Sequence, residues 1–115
     1  MTTKRVYLDF ADLRTNPNNM NDARDSANTY VSTVCAYARK DVRMGFVYDV
    51  LAYFDAGIRD HVSFKDVYAQ TIAYATDLLT VYYFGVLDIE TAECSEIATT
   101  IADMRAFTRA CGGVL

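Results

Sequence analysis

Proline and glycine are scarce in this chain. One proline and five glycines in 115 residues leave few of the tight turns that an all-β sandwich or barrel requires. With 52% hydrophobic residues, the chain is also neither disordered nor of low complexity. Histidine occurs once, at His61, too few for a zinc site, where three or four ligands converge. The three cysteines, Cys35, Cys94 and Cys111, are odd in number and contain no C-x-x-C pair, so neither a disulfide framework nor a zinc ribbon is expected. No apolar secretory region opens the chain, and the cytosol is the expected compartment. A glycine-rich phosphate loop, G-x-S-x-G, H-E-x-x-H and a calcium loop are all missing. No catalytic, cofactor-binding or metal-ligating residue is therefore assigned. An enzyme would have to rely on His61 or on a cysteine with a basic neighbour to lower its pKa.

Bases are missing from one long stretch. Residues 1–65 are nearly balanced, whereas Asp66, Asp77, Asp88, Glu90, Glu93, Glu96 and Asp103 follow with no lysine or arginine among them until Arg105. The net charge of −4 therefore sits in the second half. A direct DNA or RNA binder needs a basic face matched to phosphates, so nucleic acid is not the expected ligand.

What is present in abundance is apolar helical pattern. The stretch from Ser63 to Gly85 is apolar on nearly every side: Phe64, Tyr68, Ile72, Ala75, Leu79, Tyr83 and Val86 fall along one flank, Val67, Thr71, Tyr74, Leu78 and Val81 along the next. Only a seam of Asp66, Gln70, Ala73, Asp77 and Thr80 is left for water, which predicts a central helix over about 63–84 covered by other elements. Ser63 is its expected cap and Gly85 its expected left-handed close. Asp66, Gln70 and Asp77 interrupt the run at depths where each charge costs about 2.5–3.5 kcal/mol in a bilayer, which argues against a membrane span.

The remaining segments are also amphipathic. Val6, Phe10 and Leu13 step as a short helix over 4–13, although Val6, Leu8 and Phe10 alternate as a strand would. Asn16 to Asn19, around Pro17, form a turn. A second helix is expected from Met20 or Asn21 to Arg39, capped by Asn19 or Asn21, with Ala23, Ala27, Tyr30, Val31, Val34, Tyr37 and Ala38 inward. After a break near 40–42, a third helix capped by Asp41 buries Phe46, Val47, Val50, Leu51, Phe54 and Ile58, and Gly57 ends or kinks it. The last helix, capped by Asp88 or Thr91 and closed by Gly112, buries Cys94, Ile97, Ala98, Ile101, Met104, Thr108 and Cys111, with Glu93, Glu96, Thr100 and Asp103 wet. The expected fold is all-α, one domain over 1–115, a bundle of four to five helices.

A structural helix face normally interleaves bases with acids at i+4, and the last helix does not. Asp88, Glu90, Glu93, Glu96 and Asp103 are accordingly the candidate partner-binding residues, facing a protein with a basic surface. The cluster Arg39, Lys40 and Arg43 around Asp41 is the second candidate. Nine tyrosines without a tryptophan leave amphipathic rings such as Tyr48, Tyr53 and Tyr82, together with Phe84, for a contact surface, and a homodimer is the alternative use of them. In size, acidity and helical make-up the chain resembles the small phage-encoded inhibitors of host defence, the anti-restriction and anti-CRISPR proteins. The likeness is one of type and rests on no motif. It implies an inhibitor that docks on the nucleic-acid-binding groove of another protein.

Overall fold

The computed structural model describes residues 13–36, 38–60, 63–86 and 94–113, with side chains omitted at 82–86 and 94–98. Every regular element among them is a helix: α1 Met20–Val34, α2 Lys40–Arg59, α3 Phe64–Val86 and α4 Cys94–Ala110. The segment expected to be helix or strand over 4–13 lies outside the described residues except for Leu13, which is buried in a bend. Tyr37, His61 and the proposed α4 caps Asp88 and Thr91 also lie outside them.

α3 is the helix on which the others converge. α1, α2 and α3 pack pairwise, and α4 lies along α3, reaching α1 through the Tyr30 and Phe107 rings, stacked with centroids 5.0 Å apart. Val67, Tyr68, Thr71, Ile72, Ala75, Thr76 and Leu79 are all buried, so both predicted flanks of α3 are covered along most of its length. The predicted seam is wet at Asp66, Gln70 and Asp77. Val81 departs from expectation, at 74% exposed. It follows Asp77 by four residues, and that step carries it onto the seam rather than onto the flank of Leu78.

Local chemistry sets the helix ends. Asn19, extended at φ −155°, accepts a hydrogen bond from the Asp22 N–H at 2.8 Å and caps α1. Asp22 in turn accepts from the Asn18 N–H at 2.9 Å and pairs with Arg14 at 3.3 Å, which ties the preceding segment down. α1 stops at Val34, five residues short of the expected Arg39. Its last turn holds three β-branched residues, Val31, Thr33 and Val34, and the Thr29 and Thr33 hydroxyls donate to carbonyls four residues back at 2.9 and 2.7 Å. Both features weaken a helix interior. α2 begins at Lys40, so Asp41 lies inside the first turn, paired with Arg39 at 2.9 Å, instead of capping.

Two glycines act differently from the sequence expectation. Gly57 does not end α2, which runs on to Arg59. A Cβ there would lie 2.9 Å from Val67 Cγ1, so the missing side chain is what lets α2 and α3 approach closely. Gly85 does not close α3, which runs on to Val86. Gly112 does close α4: at φ +89° its N–H donates to the Arg109 carbonyl at 3.0 Å, and the Gly113 N–H donates to the Thr108 carbonyl at 3.0 Å. That pairing is the Schellman arrangement.

α4 buries its predicted line where side chains are described, with Met104 and Thr108 fully covered and Ile101 and Cys111 half-buried, but the covered face is wider than expected. Thr100, expected to be wet, is 5% exposed, and Phe107, absent from the predicted line, is 7% exposed. Both border the line on the same side, where Phe107 stacks on Tyr30 of α1.

Candidate functional site

A relay of hydroxyls crosses the interior. The Tyr30 hydroxyl lies 2.7 Å from Thr76 Oγ1, which lies 2.6 Å from Thr108 Oγ1, and Thr108 donates to the Met104 carbonyl at 2.9 Å. Since Thr108 spends its one proton on that carbonyl, Thr76 donates to Thr108 and Tyr30 donates to Thr76. The relay joins α1, α3 and α4. Tyr68 similarly donates to the Arg14 carbonyl at 2.5 Å and holds the chain entering α1 against α3. Burial holds both phenols well above the usual tyrosine range. It also pushes the Cys35 and Cys111 thiols up to about 11, although Arg43 pulls the first back and the Tyr68 hydroxyl the second. At neutral pH both remain thiols, poor nucleophiles and poor metal ligands. Among the described residues no three histidine, cysteine or acidic side chains converge as a metal cage would require, and no helix is long and apolar enough to cross a membrane.

Charge compensation is uneven over the surface. Three of the five carboxylates of α1 and α2 have arginine partners, Asp22 with Arg14 at 3.3 Å, Asp55 with Arg24 at 3.0 Å, and Asp41 with Arg39 at 2.9 Å, while Asp25 and Asp49 are exposed without an ion pair among the described residues. The Arg24 guanidinium meets both oxygens of Asp55, at 3.0 and 3.2 Å. This bidentate pairing raises the Arg24 pKa. The basic corner is thus partly tied up: Arg39 is paired with Asp41, and Arg43 is half-buried with its charge acting on Cys35.

In α3 and α4 the pattern stops. Asp66, Asp77 and Asp103 are exposed, and none has an ion-pair partner among the described residues. Of the five acids singled out in the sequence, Asp103 is placed on the outer side of α4 and Glu96 lies in the same helix with its side chain outside the description. Asp88, Glu90 and Glu93 fall outside the described residues.

The structure adds what the acidic tract alone does not display. The α3 seam is the floor of an open groove of about 440 Å³, with Asp66, Gln70 and Asp77 along it and Ala69 and Ala73 between them. One wall is Tyr53 of α2 stacked on Tyr74 of α3, with centroids 4.2 Å apart and planes within 4°. The other is the Gly112–Gly113 turn. A Cβ on Gly113 would lie 2.7 Å from Thr108 Cγ2 and 3.1 Å from the Ala69 carbonyl, so this wall sits flush on α3 only because it lacks a side chain. No lysine or arginine lines the groove. Its two carboxylates stand eleven residues apart, about 16 Å along the helix. Such a surface, with acids at both ends, small residues between and tyrosine at the side, suits cationic side chains with aliphatic stems.

Comparison with protein-family models, with curated proteins and with solved structures gives no match.

Proposed function

We propose that this chain is a protein-binding module whose acidic second half docks on a basic, nucleic-acid-binding surface of another protein and blocks it, as phage anti-defence inhibitors do. One observation carries this reading. Three of the five acids in α1 and α2 are paired with arginine, whereas Asp66, Asp77 and Asp103, all the acids whose side chains are described in α3 and α4, are exposed without an ion-pair partner among the described residues, so their field projects outward. Asp88, Glu90, Glu93 and Glu96 add four like charges to the same span of sequence. Opposed by a basic groove, such a field steers encounter and selects partners by sign.

The test is capture from cell lysate on the immobilised protein, with mass spectrometry, followed by titration of the captured partner. The expected partner is a nucleic-acid-binding protein, with affinity that falls as salt rises and with duplex DNA or RNA competing for the same surface. Reversing Glu93 and Glu96 to lysine, and separately Asp66 and Asp77, should each weaken binding strongly while the helical spectrum is kept. Exposed substitutions change stability by less than about 0.5 kcal/mol. Full affinity in both double reversals rejects the acidic surface as the site.

A further inference from the structure

The outward face of α2 has a different character. Stepping by three and four residues, its exposed line is Asp41, Met44, Tyr48, Ala52, Ala56 and Arg59. Met44 is 54% exposed and Tyr48 77%. Between its two charged ends this line itself has no charge, and what borders it at Met44, Tyr48 and Ala52 is the Arg24–Asp55 pair, which is neutral as a pair. Gly45 lies beside it in the helix interior, where glycine is destabilising relative to alanine. Nothing lies within 4 Å of the position its Cβ would take. No contact inside the molecule explains either the bare line or the glycine.

We propose that this face is the two-fold interface of a homodimer, in which α2 packs antiparallel on α2 of a second copy. The order of sizes and charges selects that occupant and that direction. With the axis at Val50, Tyr48 of one copy meets Ala52 of the other, Met44 meets Ala56, and Asp41 meets Arg59. Each large side chain thus lies over a small one, and each end charge over its opposite, with the exposed Asp41 carboxylate shared between Arg39 of its own chain and Arg59 of the second copy. In a parallel arrangement Tyr48 would meet Tyr48, Asp41 would meet Asp41, and the alanines would face a void. Asp41 and Arg59 are eighteen residues apart, five turns, so both point the same way, and they stand about 27 Å from each other along the helix. Arg59 has no ion-pair partner among the described residues. Gly45 then leaves room for the second backbone. A single helix pair of this length lies at the low end of specific interfaces, so the dimer forms reversibly and with concentration. This inference is independent of the acidic-surface reading, whose described carboxylates lie on α3 and α4.

Sedimentation velocity from low to high micromolar concentration tests it, with far-UV circular dichroism confirming that each variant stays helical. The wild type is expected to pass from monomer to dimer. Tyr48→Ala, at a centrally placed aromatic, should weaken the dimer about tenfold or more. Asp41→Arg and Arg59→Asp should each weaken it several-fold. The two together should recover the wild-type constant, because each pair re-forms with reversed polarity across the axis. A protein that stays monomeric throughout overturns the proposal, as does a dimer indifferent to Tyr48→Ala. A double reversal no better than the single ones also rejects the antiparallel pairing.

Discussion

The hydroxyl of Tyr30 on α1 lies 2.7 Å from Oγ1 of Thr76 on α3, inside a core where both residues are essentially inaccessible to water. This contact, forty-six residues apart in sequence, orients α1 on the central helix. Through Thr108 it extends to α4. Apolar packing is tolerant of small rotations, whereas a chain of hydroxyls with one proton each is not.

Two substitutions rank the links of this relay. Tyr30→Phe removes one hydrogen bond and should cost about 1 kcal/mol. Thr76→Val removes the acceptor for Tyr30 and the donor for Thr108, and should cost up to about 3 kcal/mol. Urea titration measures both. In the double variant the costs should fall short of adding, because Tyr30→Phe breaks a bond that Thr76→Val has already broken.

The same burial makes stability depend on alkaline pH. Cys35 and Cys111 ionise at about 11 in the folded chain against 9.0 ordinarily, and Tyr30 and Tyr68 ionise above their ordinary 10.0. Folded values are raised, so the unfolded chain loses these protons first and binds fewer of them. Stability is therefore complete below pH 9 and should fall as pH rises, with the thiols acting between about 9 and 11 and the phenols from about 10 upward. Thermal unfolding midpoints followed from pH 8 to the alkaline range should be flat at first and then decline. A midpoint that rises over that interval contradicts the burial of these four groups.

Gly45 and Gly57 lie in one helix and should respond oppositely to alanine. At Gly45 the added methyl meets nothing within 4 Å, so helix propensity alone acts and stabilises the monomer by roughly 0.5–1 kcal/mol. At Gly57 it meets the buried, stiff Val67 side chain at 2.9 Å, and the overpacking should cost about 1–3 kcal/mol. Differential scanning calorimetry at a concentration low enough to keep the chain monomeric reads both signs.

Thr71 is fully buried and its hydroxyl has no hydrogen-bond partner. An unsatisfied buried hydroxyl costs about 1–3 kcal/mol, and replacement by an apolar group of the same shape relieves that cost. Thr71→Val should therefore raise the unfolding midpoint. A lower midpoint would mean that the hydroxyl is hydrogen-bonded in solution.

How far the sequence alone reaches can be judged residue by residue. Asn19 as the cap of α1, Gly112 as the close of α4, the α1 face from Ala23 to Val34 and the wet seam at Asp66, Gln70 and Asp77 all follow from local rules, since caps and helical periodicity act within a few residues. The acidic imbalance from Asp66 onward is legible in the same way, because charge is additive along a chain. The groove is not. It needs Tyr53 of α2 laid on Tyr74 of α3 and the Gly112–Gly113 turn laid over Ala69, contacts whose partners are up to some forty residues apart.

Composition and periodicity, which are local, determined the all-helical make-up that the described residues have, a central helix over about 63–84 that the others cover, and the run of acids from Asp66 to Asp103 without a base among them. Tertiary contact alone decided how wide a face α4 buries, because stacking on Tyr30 adds Phe107, with Thr100 beside it, to the predicted line at Met104 and Thr108. Contact also decided that Gly57 is a packing residue and not a helix end, because the closeness of α2 to α3 is set by Val67 across the interface. Single-helix periodicity cannot distinguish such alternatives. A narrow and a wide buried face both satisfy a step of 3.6, and the free energy that chooses the wider one lies in the other helix.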